Sequence, residues 1–443
     1  MRRFIQKQFV KSRFGRRLTV LVGSTAVGQL ALIISAPIIT RIYAPDDYGI
    51  FVTIASILNI IAVFAALRYE AAIPLCKNDS DAALLTRFVI FLSACFSLIS
   101  AIFMWLFYDS ICGFFEINTT PRIMLWLPLA IIAQGLFLAF DGWGIYRAAL
   151  RQLAMSKISQ GVVMAVGQVL FGLLGNGSAD GLIASYILSQ VAGAIPMVIG
   201  LNAVQRNAFL HFSLRDLKRM IYRYSQFPIF EMWSRAMSTA SEMMPAPLVA
   251  TIYGSTEAGL FGLAQRIVGL PIRFIGISAH QVYASELPRF EHSDQKNLLA
   301  LFNETVIRLG IIGFGYMILV LIFGPQIFAF VFGESWRISG EMAQLLAPMY
   351  LTMLINRPIK YTIQYYERQD LSLLVSLVGL VLLGITFWLA YLGVISMHHS
   401  IIFISIGAII VNIWSLALAR ALIKGRLKAH AKVLTDSHYG ESS

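Results

Sequence analysis

Three features predict an all-α polytopic membrane protein with twelve transmembrane helices in two six-helix bundles related by a parallel internal repeat. Apolar residues make up 58% of the 443-residue chain and charged residues only 13%, about half the charged share of an ordinary soluble domain. Lysine and arginine concentrate in alternate connections between the apolar runs. A ten-residue pattern occurs twice, near the start of each half.

A helix needs about 20 apolar residues to cross ~30 Å of hydrocarbon. Runs of that kind fall at 19–40, 49–67, 88–108, 123–140, 158–174, 181–201, 227–251, 258–283, 308–332, 340–357, 372–395 and 400–422. The tenth is the weakest, because Gly340, Glu341 and Gln344 wet its start and Pro348 interrupts it. Of the 35 lysines and arginines, 27 lie before the first run, after the last, or in even-numbered connections. Only Arg41, Arg122 and Arg337 occupy odd-numbered ones. Cytoplasmic connections collect cations, so both termini are expected in the cytoplasm, which requires an even number of spans. The formal charge of +12 is thereby explained by topology, with no nucleic-acid partner.

The segment 1–18 interleaves Phe4, Ile5, Phe9, Val10 and Phe14 with seven cations. It reads either as a helix on anionic lipid or as a basic tail that only fixes topology. The first apolar run is too long for the core of a signal peptide and lacks a cleavage site. The first bundle is expected at 19–201 and the second at 227–423, joined by a cytoplasmic linker at 202–226. In that linker Ser213 can cap a short helix with Leu214, Leu217, Met220, Ile221 and Tyr224 on one face and cations on the other, which predicts a helix lying on the membrane surface. Six spans per half give both halves the same orientation, hence a parallel repeat. The tail, 424–443, turns polar and reads as disordered.

The repeated pattern is Ile42-Tyr43-Ala44-Pro45-Asp46-Asp47-Tyr48-Gly49-Ile50-Phe51 and Ile252-Tyr253-Gly254-Ser255-Thr256-Glu257-Ala258-Gly259-Leu260-Phe261. The charge rule puts both copies on the outer face, as tight turns after spans one and seven. Gly49 and Gly259 let each chain re-enter the membrane closely. Asp47 and Glu257 sit where a helix N-terminus favours an acid.

Chemistry in the connections is sparse. There is no Gly-Lys pair and so no phosphate-binding loop of that kind, and no His-Glu-x-x-His zinc motif. The histidines are dispersed apart from His398-His399, and Cys76, Cys95 and Cys112 suggest neither a disulfide framework nor a metal site. Asp79-Ser80-Asp81 fits a sugar-nucleotide transferase tripeptide, yet no nucleotide-binding domain surrounds it. No connection is long enough to fold as a catalytic domain, so a transporter without catalytic residues, metal or cofactor is expected.

Charges within the spans are the positive signal. Each costs roughly 2.5–3.5 kcal/mol at a helix centre and so needs a partner or a watery cavity. Glu231, Arg235 and Glu242 fall on one face of span seven. Arg266 and Arg273 fall on one face of span eight, roughly 10 and 20 Å in from its outer end, with Pro271 between them able to bend the helix. Two readings stay open: ion pairs that glue helices, with one cation left over, or a polar cavity with excess positive charge. Arginine's planar fork suits phosphate, so the second reading implies a phosphate or diphosphate substrate. Gln29, Asn59, Gln134, Gln160, Gln168 and Gln190 are neutral polar residues on other spans, placed either to line that cavity or to join helices.

Several stretches carry a family likeness: Arg41-Ile42-Tyr43-Ala44-Pro45-Asp46-Asp47-Tyr48-Gly49, Leu67-Arg68-Tyr69-Glu70-Ala71-Ala72-Ile73-Pro74, Gln226-Phe227-Pro228, and Ala258-Gly259 through Gln265-Arg266 to Leu270-Pro271. Phe332-Gly333-Glu334-Ser335-Trp336 to Ala347-Pro348 and Arg368-Gln369-Asp370 complete the set. With these the chain resembles the Wzx-type polysaccharide repeat-unit (O-antigen) flippases of the multidrug/oligosaccharidyl-lipid/polysaccharide exporter superfamily. The resemblance marks Arg68, Glu70, Tyr43, Gly49, Gly259 and Pro271 as family-motif residues. It implies a V-shaped pair of bundles that alternates between inward-open and outward-open in the bacterial inner membrane. It implies movement of an undecaprenyl-diphosphate-linked oligosaccharide to the periplasmic leaflet, and a polysaccharide polymerase and chain-length regulator as partners. Span seven is more charged than is usual in that family, so Glu231 and Glu242 carry no role by analogy. The alternative is a cation-coupled multidrug exporter of the same architecture, whose site should be acidic and aromatic. Coupling to a proton, sodium or the membrane potential stays open.

Overall fold

A computed structural model describes residues 13–107, 122–202, 209, 213–293, 298–366 and 368–440, with the side chains of 13–26, 122–125, 272–273, 289–293, 369 and 426–440 excepted. The basic segment before Arg13 and Cys112 lie outside the described residues. The fold is the all-α membrane architecture that hydropathy predicts, and the described residues contain no strand.

The helices in order are α1 (Arg13–Ile42), α2 (Pro45–Ala65), α3 (Asp79–Leu106), α4 (Arg122–Tyr146), α5 (Leu150–Leu174) and α6 (Ala179–Ile199). The short α7 (Leu214–Arg223) follows, then α8 (Met232–Met243), α9 (Pro245–Tyr253), α10 (Ser255–Val268) and α11 (Ile277–Ser293). Last come α12 (Leu298–Phe332), α13 (Arg337–Tyr365), α14 (Gln369–Tyr391) and α15 (Met397–Gly440). Among the described residues nine helices are long and apolar enough to cross a membrane. Every predicted span has its helix or helices, but the seventh and eighth are broken. The seventh opens with a π-helical turn at Phe227–Glu231 and is interrupted at Met244 between α8 and α9. The eighth breaks at Gly269 and resumes through a π-helical turn at Ile272–Gly276. Pro228, Pro245 and Pro271 stand at these interruptions, each lacking the N–H that a continuous helix needs. The weak tenth run becomes a 29-residue helix despite Pro348 and Pro358. The tail does not become disordered at Lys424. α15 continues to Gly440, and Arg426-Leu427-Lys428-Ala429 with Ala431-Lys432 are good helix formers that carry it past Lys424.

In the linker, Ser213 caps α7 as expected, its hydroxyl accepting the Asp216 N–H at 3.3 Å. Met220 and Tyr224 bury against Tyr69, Ala72, Ile73 and Trp143.

By contacts the chain divides into two compact units, Met1–Gly259 and Leu260–Ser443. The division falls beyond the 202–226 linker because α8 and α9 pack along α2. In the first unit α5 packs on α1 and α6, and α4 on α3 and α6. In the second, α13 is central, packed on α12 and α15, with Trp336 fully buried at its start. Asn356 there donates to Asn412 at 2.9 Å, and Asn412 to Thr352 at 3.1 Å.

The two copies of the repeated hairpin touch each other within the first unit. A Cβ added at Gly49 would run into the Ser255 carbonyl and lie 2.7 Å from the Gly259 nitrogen. A Cβ added at Gly259 would run into the Pro45 carbonyl and lie 2.9 Å from the Gly49 nitrogen. Each glycine faces the carbonyl four residues before the other, so the contact is reciprocal. The predicted acids serve helix N-termini, but not only their own. Asp47 accepts the Ala179 N–H of α6 at 2.9 Å, where Ser178 supplies no side-chain cap. Asp46 accepts from the Ser255 and Thr256 hydroxyls at the start of α10. Tyr43 is buried and donates to the Gln168 carbonyl of α5 at 2.7 Å.

Gly49→Ala and Gly259→Ala should each destabilise the protein by about 1–3 kcal/mol, the usual penalty of overpacking. Gly315→Ala, on α12 with nothing within 4 Å of its added Cβ, should be neutral within about 0.5 kcal/mol. Thermal unfolding of the purified protein in one detergent compares the three.

Candidate functional site

The chain leaves α2 through a strained turn. Leu67 (φ 48°) and Arg68 (φ 62°) both adopt the left-handed conformation, a cost of order 1–3 kcal/mol each for residues with side chains. A 3₁₀ turn, Tyr69–Ala71, follows at once. The strain aims the Arg68 guanidinium between two carboxylates. Nη1 donates to Glu70 Oε1 at 2.9 Å, and Nη2 donates to Glu231 Oε1 at 2.6 Å. Glu231 lies on the π-helical turn that opens the seventh span, 163 residues away. The side chains are 22% exposed for Arg68, 9% for Glu70 and 42% for Glu231, so the Glu70 arm is dry and the Glu231 arm is wet.

Glu70 sits deep, against α3 and α4. Its Oε2 and the Arg68 Nε are buried without a hydrogen-bond partner among the described residues. Burial pushes the Glu70 carboxyl above the usual carboxylate range, against the pull of Arg68, and the charge of Glu231 pushes the same way. The cluster carries two carboxylates for one guanidinium.

Farther along the spans, polar residues that look isolated in sequence join. Gln134 donates to Asn59 at 3.4 Å, and Tyr186 donates to Gln134 at 3.2 Å. Gln160 donates to Gln190 at 2.8 Å. Lys157 pairs with Asp141 at 2.9 Å and lies 4.4 Å over the Phe137 ring. Gln168 is fully buried on α5, its amide unpartnered among the described residues. Gln29 is half-buried on α1.

The expected span charges are placed as follows. Glu231 pairs with Arg68 rather than with Arg235. Arg235 and Glu242 are exposed, seven positions apart on α8, and neither has an ion-pair partner among the described residues. Arg266 is half-buried in the last turn of α10 and has an interaction partner. Pro271 immediately precedes the second π-helical turn, which carries Arg273; the Arg273 side chain lies outside the described residues. The Arg68–Glu231 bridge was not readable from helical spacing, because it joins a turn to a π bulge. Its one signal was the position of Arg68 and Glu70 two apart at a span end. No group of three or more His, Cys, Asp or Glu residues able to hold a metal ion occurs among the described residues.

Residues 38–340 match the model of a family described as polysaccharide biosynthesis protein. No curated protein matches the chain in sequence. In structure it is similar to a multidrug resistance MATE family transporter of the MOP superfamily in its inward-facing conformation. That match has 16% identity and a TM-score of 0.62 and covers 93% of this chain and 95% of that one. It is similar to an outward-facing one too, at 13% identity and TM-score 0.62, covering 95% and 98%. A third is a MOP superfamily transporter from Pyrococcus furiosus whose binding pocket is described as having reverse polarity, at 14% identity and TM-score 0.61, covering 95% and 98%.

Two outcomes follow from the cluster. Arg68→Ala strands a buried carboxylate and should cost about 3–5 kcal/mol, whereas Glu231→Ala removes a half-exposed partner and should cost about 1 kcal/mol or less. The double variant Arg68→Ala with Glu70→Gln should recover much of the first loss, measured as a thermal double-mutant cycle. The pH dependence has a definite sign. Glu70 binds its proton more tightly folded than unfolded, so its stabilising contribution is full below the pKa of an unfolded glutamate. It is lost as pH rises through the raised folded value. Glu70→Gln should remove that loss, seen as a flatter profile of melting temperature against pH.

Proposed function

The chain belongs to the polysaccharide biosynthesis protein family, and from that premise we propose that it is a flippase for a lipid-linked oligosaccharide. The observation that carries the proposal is this family's sequence pattern, over residues 38–340, on a fold whose solved examples are transporters, not enzymes. The substrate is an undecaprenyl-diphosphate-linked repeat unit of an O-antigen or similar surface polysaccharide, as used in lipopolysaccharide biosynthesis. It moves from the cytoplasmic to the periplasmic leaflet of the bacterial inner membrane, with both termini of the protein in the cytoplasm. The lipid tail stays in the bilayer while diphosphate and sugars pass through a cationic cavity. A polysaccharide polymerase and a chain-length regulator take up the product.

This proposal assigns diphosphate binding to Arg235 of the first unit and to Arg266 and Arg273 of the second, and counts Glu231 and Glu242 of the first unit in the substrate-binding set. The side chain of Arg235, exposed and without an ion-pair partner among the described residues, supports the assignment, since such a charge in hydrocarbon needs water or an anion. Arginine in excess suits a diphosphate and repels cationic drugs, the opposite polarity to a drug site. A potential negative inside drives anions outward by ~2.3 kcal/mol per charge per 100 mV.

Deleting the gene should strand lipid-linked repeat units on the cytoplasmic leaflet and remove surface polysaccharide. Complementation with the Arg266→Ala, Arg273→Ala double variant, expressed at the wild-type level, should restore less than a tenth of the polymer. Full restoration by that variant would overturn the cavity assignment. Unchanged surface polysaccharide in the deletion strain, together with greater sensitivity to cationic drugs, would overturn the flippase in favour of a multidrug exporter.

A further inference from the structure

Glu70 is a buried carboxylate with one oxygen held by Arg68 and the other without a hydrogen-bond partner among the described residues. Its guanidinium is shared with Glu231, which reaches it from a different span. We propose that Arg68, Glu70 and Glu231 form a proton-binding switch, in which a proton taken from water bonds to Glu70 Oε2 and Arg68 then passes wholly to Glu231. Protonation leaves Glu70 neutral, and its Oε1 becomes a weaker acceptor for Nη1. The cluster, with one surplus negative charge before, becomes a one-to-one pair of Arg68 and Glu231. The bridge from the end of α2 to the π-helical turn before α8 tightens when the proton binds and loosens when it leaves.

The surroundings fit a proton and exclude the other monovalent candidate. A sodium ion needs several oxygen ligands, and the guanidinium within hydrogen-bonding distance of Glu70 repels any cation that does not neutralise the carboxylate covalently. The other charged side chains described on the elements packed against Glu70 are engaged elsewhere. On α3, Asp79 pairs with Arg147 at 2.9 Å, Asp81 with Arg219 at 3.3 Å, and Arg87 donates to the Phe209 carbonyl at 2.5 Å. On α4, Asp141 pairs with Lys157 and Tyr146 donates to Asp79 at 2.9 Å. Tyr69 on the same turn and Cys76 on the next remain neutral, since burial raises both, Cys76 to about 11. Arg68 and Glu231 are thus the charges that act on Glu70.

The strain at Leu67 and Arg68 is the second support. A left-handed arginine is held only where the surroundings over-determine it, and here two carboxylates do so from opposite sides. Loss of either grip leaves the turn free to relax. Phe64, four residues before Arg68, and Trp233, two residues after Glu231, hold their rings in edge contact at 5.9 Å, and so report closure of the bridge.

The proton site itself does not depend on the flippase reading; its coupling to transport does. The site is tested on the purified full-length protein in lipid nanodiscs, by infrared difference spectroscopy across pH. Wild type should show a protonated-carboxyl band titrating above the range of exposed glutamates, and Glu70→Gln should lack it. Glu231→Gln should keep the band with a lower midpoint, because Glu231 no longer competes for Arg68. A band unchanged in Glu70→Gln, or a midpoint unmoved by Glu231→Gln, would overturn the switch. So would a band that responds to sodium at constant pH. In the Phe64→Cys, Trp233→Cys variant the rate of disulfide formation, corrected for thiolate fraction, should rise as pH falls through that midpoint. A rate without pH dependence would equally refute tightening. Coupling is tested in proteoliposomes with a lipid-linked oligosaccharide: a pH gradient should change the flipping rate severalfold in wild type and not in Glu70→Gln. No flipping by wild type at all would count against the flippase, while the infrared titration still decides the proton site.

Discussion

The approach of two backbones at Gly49 and Gly259 is the constraint on which the first unit depends. Two helices pack this closely only where both surfaces lack side chains, the same logic that places small residues at helix contacts inside membranes. Here each glycine meets a carbonyl of the other copy, at Pro45 and Ser255. Once that contact is set, Asp46 lies against the start of α10 and Asp47 against the start of α6. Tyr43 is fixed on α5. One short hairpin thereby ties together helices far apart in sequence, and α8 and α9 come to lie along α2.

Much of this was legible in the residues, for identifiable reasons. Hydrophobic length marks spans because hydrocarbon admits only internally bonded backbone. The 210-residue repeat was visible because both copies need the same glycine and the same first-turn acid. That the copies would meet was not visible, since a repeat says nothing of distance. The break in span eight was foreshadowed by Pro271 and that in span seven was not, and proline alone does not tell a kink from a π-helical turn. The face shared by Glu231, Arg235 and Glu242 follows from helical periodicity. The partner of Glu231 does not, because Arg68 comes from a left-handed turn whose direction no periodicity describes.

The charges separate by the water they keep. Arg68 and Glu70 are largely dry, so their attraction is strong and the cost of separating them high. Glu231 is nearly half exposed and contributes little stability by itself. A contact with that profile suits regulation better than fastening: it holds geometry without dominating the fold. The glycine contact is the reverse, an uncharged fit that pH and salt leave alone.

These two contacts sit at opposite ends of α2. The glycine contact lies at its Pro45 end and the Arg68 bridge just past its Ala65 end. The bridge has a release built in, because its carboxylates compete for one guanidinium and a single proton decides between them. The glycine contact has no titratable group in its backbone fit, only the Asp46 carboxylate at its exposed rim. Proton uptake at Glu70 would act on the Ala65 end of α2, a 21-residue helix whose Pro45 end carries the glycine contact.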